Sequence, residues 1–368
     1  MVGQLGLRAR RLRGAAGARS LLSTLRCIQL DPLDPMGTNA DLVALARVDG
    51  IGRGDVYRHL LPRHAFEHFA KERCLLPASA FPQYRERAAE TPWWRSSERM
   101  RRLPPSLVED VLAEVRSRGP VATADLAERG RVRPLDWHGW KGTAKSASMA
   151  LEVLWTQCRI VVCGRGPRGK IYDVPERALP HVHDLPAVQF EPWSLLERVE
   201  AAGLLARAGG PCWSMLSAVR TSSLPDELIA SGQLEDVLVE GSSRPYLAPA
   251  GFRDRRFPRD DGRMRILGPL DPLLWDRKLV EQVFRFDYVW EVYKPEHQRR
   301  WGWYVCPLLH RGRLVGRIEA RAADGALKVQ ELWPEPGVTF DRPALGAALT
   351  RHATACGVGN VRWRGAGR

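Results

Sequence analysis

The chain contains no run approaching the roughly 18 consecutive apolar residues that cross a bilayer, which excludes a membrane-spanning helix. It contains no C-x-x-C pair, and its seven cysteines (27, 74, 158, 163, 212, 306 and 356) are odd in number. A disulfide framework, a zinc ribbon and an iron–sulfur cluster therefore have no support, and reduced thiols in a cytoplasmic setting are expected. There is no G-x-S-x-G and no H-E-x-x-H, no complete Walker-type glycine loop, since Ile171 stands where its Ser or Thr would follow Gly169-Lys170, and no dinucleotide-type glycine loop leading from a strand into a helix. Acyl transfer, nucleotide hydrolysis and hydride transfer are left without a motif. His64 and His68 stand four apart, as zinc ligands on one helical face do, but the Glu such a site needs is missing, and His181 and His183 are isolated. Neither a metal nor a cofactor is expected. Lysine is scarce as well, with only positions 71, 141, 145, 170, 278, 294 and 328.

What is abundant is arginine. Lys and Arg number 56 against 42 Asp and Glu, leaving a net charge of +14 over 368 residues. Subtracting the seven lysines leaves 49 arginines, the footprint expected of a surface that meets phosphate and releases its counterions. Arg8, Arg10, Arg11, Arg13, Arg19 and Arg26 precede the first acidic residue. They superficially resemble a transit peptide and are better read as a basic arm facing DNA. The length suggests roughly two to four units.

Periodicity supplies the organisation. Residues 19–26 read as helix, 27–31 as an extended segment running into Pro32, and 40–48 and 54–61 as helices, with a proline-rich linker over 92–105. The stretch 106–116 carries apolar residues at 107, 108, 111, 112 and 115, a helical stripe. Thr123 is placed as the N-cap of a second helix and 146–157 as a third. Strands at 159–163 and 170–174 flank Gly164-Arg-Gly-Pro-Arg-Gly. Helix, helix, helix, hairpin is the winged-helix order. It recurs with helices over 192–206, 213–220 and 225–231 and strands over 234–240 and 245–247. From Arg265 the pattern turns to strands, over 287–293, 303–309, 313–321 and 327–332. The expected fold is α+β: tandem winged-helix units with a β-rich C-terminal domain. The expected boundaries are 1–103 for an N-terminal helical unit, 104–182 and 183–255 for two winged helices, 256–345 for the β-rich domain and 346–368 for a mobile basic tail.

Two sets of residues are candidates for chemistry. In an extended segment, residues two apart share a face, so Gln29 and Asp31 project together while Ile28 and Leu30 point inward. An amide beside a carboxylate can hold one water. The same string, Asp31-Pro-Leu-Asp-Pro35, also reads as a loop opened by two turn-initiating aspartates. The hairpin tip offers Arg165, Arg168 and Lys170 to phosphates, and Lys141 and Lys145 precede the third helix, whose N-terminal amides can bind phosphate. That helix is not especially basic, so sequence-specific readout is not indicated.

These residues occur in a wider pattern. Gln29-Leu-Asp31, Cys74-Leu-Leu-Pro77, Leu151-Glu-Val-Leu-Trp155 followed by Gly164-Arg165, and Tyr172-Asp-Val-Pro-Glu-Arg177 are its first pieces. Gly268-Pro-Leu-Asp-Pro-Leu-Leu-Trp275-Asp-Arg277, Phe286-Asp-Tyr288, Glu291-Val-Tyr293, Gly302-Trp-Tyr304, Pro307 and Val315-Gly-Arg317 complete it. With this set the chain resembles the YcaQ-like DNA glycosylases of bacteria, relatives of AlkZ, over roughly residues 19–335. The AlkZ branch carries Gln-x-Gln at the catalytic place and the YcaQ branch Gln-x-Asp, so the resemblance groups this chain with the second. Many members read Glu-x-Trp-x-His before the Leu-Pro step, where this chain has Glu67-His-Phe69-Ala-Lys71.

The resemblance implies a concave, basic, tandem winged-helix scaffold and a monomeric enzyme that meets double-stranded DNA carrying alkylated purines or interstrand crosslinks. It implies hydrolysis of the N-glycosidic bond, with Asp31 stabilising the sugar cation and activating water that Gln29 orients. No lysine is marked by the motif for Schiff-base chemistry, so a monofunctional enzyme leaving an abasic site is expected. A non-enzymatic winged-helix regulator is the alternative, and a self-resistance protein against one bulky natural-product adduct is a narrower form of the first reading. Gly50-Ile-Gly-Arg-Gly54 is similar to the phosphate-holding hairpin of other base-excision glycosylases. No Asp follows at the usual distance, so an ordinary glycine turn is expected there.

Overall fold

A computed structural model describes residues 1–8, 12–90, 93, 95–135 and 142–364. The chain divides into two compact units. One comprises Met1–Val56, Phe69–Cys74 and Ser194–Arg368, the other Tyr57–His68 and Leu75–Trp193. The beginning and end of the chain thus build one unit together, which contiguous sequence blocks do not anticipate.

In the unit of Tyr57–His68 and Leu75–Trp193, the helix Leu107–Arg118 forms as its stripe predicts, with Leu107, Val108, Val111, Leu112 and Val115 all buried. Glu109 and Asp110 in its first turn and Arg116 and Arg118 in its last oppose the helix dipole. Gly119, at φ 82°, ends it in a conformation that side chains avoid. Thr123 begins no long helix. Thr123–Asp125 is a single tight turn, closed by the Asp125 carboxylate accepting from the Ala122 N–H at 3.0 Å. The helix Ser146–Thr156 and the strands Val161–Gly166 and Gly169–Asp173 follow, and Val121–Ala122 completes a three-stranded antiparallel sheet in which Gly169–Asp173 is central. Ser96–Arg101 is helical inside the stretch expected as a linker.

In the other unit, Leu205–Ala206, Pro245–Pro249 and Leu234–Leu238 form a second antiparallel sheet with Pro245–Pro249 central, and the helices Ser217–Arg220 and Leu224–Ala230 lie in the chain between its first strand and Leu234–Leu238. Five strands, Arg265–Ile266, Val305–His310, Arg313–Ala323, Ala326–Pro334 and Asn360–Trp363, then lie side by side in chain order. The segment expected as a basic tail is instead the helix Arg342–Ala355, with Leu345, Ala348, Leu349 and Ala353 in the core, followed by a strand pairing parallel with Ala326–Pro334. Its arginines obscured a short apolar pattern. Residues 287–293, expected as a strand, adopt no strand, and Glu291 within them accepts from the N–H groups of Arg300 and Trp301. Nor are residues 1–8 a free arm, while Arg10 and Arg11 of the expected arm lie outside the described residues. Leu5 and Leu7 are fully buried, and the Leu5 carbonyl accepts from Arg47 Nε at 2.7 Å.

Arg47 is the fulcrum of this unit. Its guanidinium makes a two-point ion pair with Asp271, at 2.7 and 2.9 Å, and both side chains are completely buried. Asn39 works beside it, donating to the Gln29 carbonyl at 2.8 Å and accepting from the Leu270 N–H at 3.2 Å. Gly268 is required here, since a Cβ would come within 2.6 Å of Asn39 Oδ1. Removing one partner of a buried pair strands the other charge, which costs about 3–5 kcal/mol. Chemical denaturation of Asp271→Asn should show a loss of that order, and pairing Arg47→Met with Asp271→Leu should recover most of it.

Candidate active site

Gln29 closes the two-residue strand Ile28–Gln29, and the next residue, Leu30, donates its N–H to the Arg73 carbonyl at 2.8 Å. That bond sets Gln29 beside Phe69–Cys74, a segment that sequence patterning did not mark as extended. Gln29 is buried, and its Oε1 accepts from Lys71 Nζ at 2.9 Å. The Lys71 ammonium lies 5.2 Å from the Trp275 ring centroid, and burial lowers its pKa. Lys71 also lines a cavity of about 390 Å³ with Trp213, Arg244, Trp275 and Arg277.

Asp31 follows where the chain leaves the strand. Its Oδ1 accepts from the Leu33 N–H at 2.9 Å, an Asx turn, so the turn-forming reading of this aspartate is correct as geometry. The turn occupies one oxygen. Among the described residues, no hydrogen bond reaches Oδ2. Partial burial raises the Asp31 pKa, and the Leu33 bond offsets that only in part. Its charge is felt by Tyr293, where it acts behind partial desolvation in raising the pKa, and by Tyr304, where burial and Cys306 act ahead of it. Tyr293 is 82% exposed, a large aromatic left to solvent beside the carboxylate.

The segment after Asp31 is anchored on the five-stranded sheet. The Pro35 carbonyl accepts from the Ala322 N–H at 2.7 Å, and Met36 enters the core under that sheet. His352 Nε2 donates to the Met36 carbonyl at 2.7 Å. Asp41, within a capping box on Thr38, accepts from the Gly54 N–H at 2.9 Å, and Asp55 accepts from the Gly52 N–H at 2.5 Å. The amides of Gly52 and Gly54 are therefore already taken by carboxylates, as suits an ordinary turn.

The expected DNA-contacting cations belong to the other unit, and their placement differs from an open wing. Lys141 lies outside the described residues. Lys145 stands at the N-cap of Ser146–Thr156, 3.5 Å from Glu128. Arg165 hydrogen-bonds Glu67 and lies 4.3 Å from the Tyr57 ring centroid, while Lys170 approaches the same carboxylate at 3.7 Å. Glu67 is fully buried, so these two cations compensate its charge and are not simply presented outward. Arg168 sits on the two-residue turn of the hairpin with 65% of its side chain exposed, in an ion pair with Asp125. His64 and His68 do not share a helix: His68 lies in the strand Ala65–Ala70 among Tyr84, Trp93 and Trp155.

Sequence reading missed the part played by Lys71 and Asn39. The available signal for Lys71 was a rare lysine flanked by Phe69 and the Cys74-Leu-Leu-Pro77 run, where a solvated cation has no place.

A family model described as DNA glycosylase AlkZ-like matches residues 22–355. The solved structure of Streptomyces sahachiroi DNA glycosylase AlkZ is similar in fold, with a TM-score of 0.60 and 18% identity, over 98% of this chain and 96% of that one.

His352, which anchors the segment carrying Asp31, has its pKa lowered by burial, with the Met36 bond opposing. Such a group is neutral in both folded and unfolded chains above the ordinary histidine pKa of about 6.5. Below it the unfolded chain takes up a proton that the folded one resists, so stability should fall as pH drops from about 6.5 towards the lowered value. Urea denaturation across that range should show a shallower fall in His352→Gln than in the parent.

Proposed function

The chain belongs to the AlkZ-like DNA glycosylase family, and from that premise we propose that it hydrolyses the N-glycosidic bond of N7-alkylated purines in double-stranded DNA, those in interstrand crosslinks included. The product is an abasic site, and the enzyme acts as a monofunctional, cofactor-free monomer. The observation that carries this reading is Asp31: a half-buried carboxylate with one oxygen held by a backbone N–H and the other without a hydrogen bond.

An N7-alkylguanine is cationic on DNA and leaves neutral, so the C1′–N9 electron pair departs with the base and no acid is needed. Positive charge develops on the sugar. The Asp31 carboxylate stabilises that charge and takes a proton from the attacking water, whose oxygen bonds C1′. Gln29 orients that water. The three-stranded sheets and the helices that accompany them in the chain support tandem winged-helix units as the DNA-binding scaffold. In the first of them Arg168 and Lys145, the more exposed of the described candidate cations, are assigned to the phosphate backbone.

Duplex DNA carrying N7-methylguanine, or a nitrogen-mustard crosslink, should release base and become alkali-labile with the parent protein. Asp31→Asn should lower the single-turnover rate by about 10²–10⁴-fold. Because burial raises Asp31, the carboxylate form is lost as pH falls through a value above the ordinary carboxylate pKa of about 3.9, so the acid limb should lie above that value and vanish in Asp31→Asn. Unchanged base release in that variant sinks the mechanism. A protected operator sequence without base release would instead identify a regulator.

Each phosphate contact contributes about −0.9 to the slope of log affinity against log salt. Arg168→Ala should flatten the slope by about one contact. An unaltered slope removes the hairpin turn from the interface.

A further inference from the structure

Lys71 touches Gln29 in a way that restricts what Gln29 can do. A lysine ammonium is a donor with no acceptor capacity, so the Gln29 amide must turn its oxygen, not its nitrogen, towards Nζ. The Gln29 backbone is held as well, its carbonyl accepting from Asn39 at 2.8 Å. With Oε1 engaged, the side chain offers only its NH₂, and among the described residues no protein group accepts from Nε2. Lys71 is itself fixed, 6% exposed, against Trp275, whose indole Nε1–H is tied to the Leu270 carbonyl at 3.0 Å.

We propose that Lys71 is a positioning residue, which locks the Gln29 amide so that Nε2 donates to the oxygen of the attacking water. This rests on the glycosylase reading and refines it. A water receiving a hydrogen bond from Nε2 directs its own hydrogens elsewhere, and one of them goes to Asp31. The amide thus acts as a donor that sets the water's orientation, and the carboxylate alone is the base. Without Lys71 the amide can flip and present Oε1, which competes with Asp31 for the water's proton.

The test is a double-mutant cycle in single-turnover base release from duplex DNA carrying N7-methylguanine. Lys71→Met should lower the rate roughly 10- to 100-fold, the worth of a hydrogen bond to a charged group, with the substrate dependence little changed. In a Gln29→Ala background the same substitution should change nothing, because Lys71 acts only through Gln29. An equal loss in both backgrounds, or none in the first, overturns the proposal. Gln29→Glu keeps an acceptor for Lys71 and removes the NH₂ donor, so it should fall to the Gln29→Ala level, and parent-like activity in it also overturns the proposal. One readout is independent of catalysis: the Gln29 side-chain NH₂ resonances, identified by their loss in Gln29→Ala, should shift in folded Lys71→Met. Absence of base release from the parent protein defeats the glycosylase reading, whereas unmoved resonances defeat the lock itself.

Discussion

The buried ion pair between Arg47 and Asp271 is the constraint on which the arrangement of the candidate site depends. It joins residues 224 positions apart, and its closure forces the helix Asn39–Leu45 against the Gly268–Asp271 turn. Asn39 then falls where it can hold the Gln29 carbonyl and the Leu270 N–H together. Two charges removed from water are stabilised only when their geometry is good and their remaining hydrogen-bonding groups are occupied. Arg47 meets both conditions, spending its other donors on the Leu5 and Val43 carbonyls. The same residue thereby fixes the first few residues of the chain, the helix that follows Asp31 and the turn that leads to Trp275.

Burial acts with opposite effect on the two ionisable groups nearest Gln29 in sequence and in space. It raises the pKa of Asp31 and lowers that of Lys71, since both charged forms lose hydration. Each is incompletely compensated: Asp31 by one backbone N–H, Lys71 by a neutral amide and an aromatic face. A carboxylate held in this way gains most from a neighbouring positive charge that appears during a reaction. A lysine held in this way needs its one amide acceptor, which is why Gln29 has little freedom to turn.

The arginine excess has two uses, which net charge does not separate. Arg47, Arg99, Arg198, Arg265 and Arg317 are buried. Arg265 donates to the Ala46 carbonyl and Arg198 to the Cys212 and Ser214 carbonyls. Arg165 is turned towards Glu67. These arginines are structural, because a guanidinium has five donors in a rigid plane and can satisfy several buried acceptors at once. The cations left over for the proposed phosphate contacts are fewer than the composition suggests; Arg168, on its hairpin turn, keeps 65% of its side chain exposed.

Local order was legible from residues alone. The stripe of Leu107, Val108, Val111, Leu112 and Val115 specified a helix and the glycines at 164, 166 and 169 specified a hairpin, because each signal depends on neighbours a few positions away. The exposed face expected to be shared by Gln29 and Asp31 is not what the chain adopts: Gln29 is buried towards Lys71 and Asp31 lies beyond the end of the strand. The strands Ala65–Ala70 and Glu72–Pro77 were missed, since Glu67, His68 and Lys71 interrupt any clean alternation. Their polarity makes sense only once Arg165, Trp155 and Gln29 are in place around them. By itself, then, the sequence determined the longer helices, the hairpin at 164–169 and the family pattern. Tertiary structure alone decided that Lys71 holds the Gln29 amide, that Arg165 turns inward and that the last strand closes a sheet, because each depends on a hydrogen bond, ion pair or strand pairing between segments far apart in the chain.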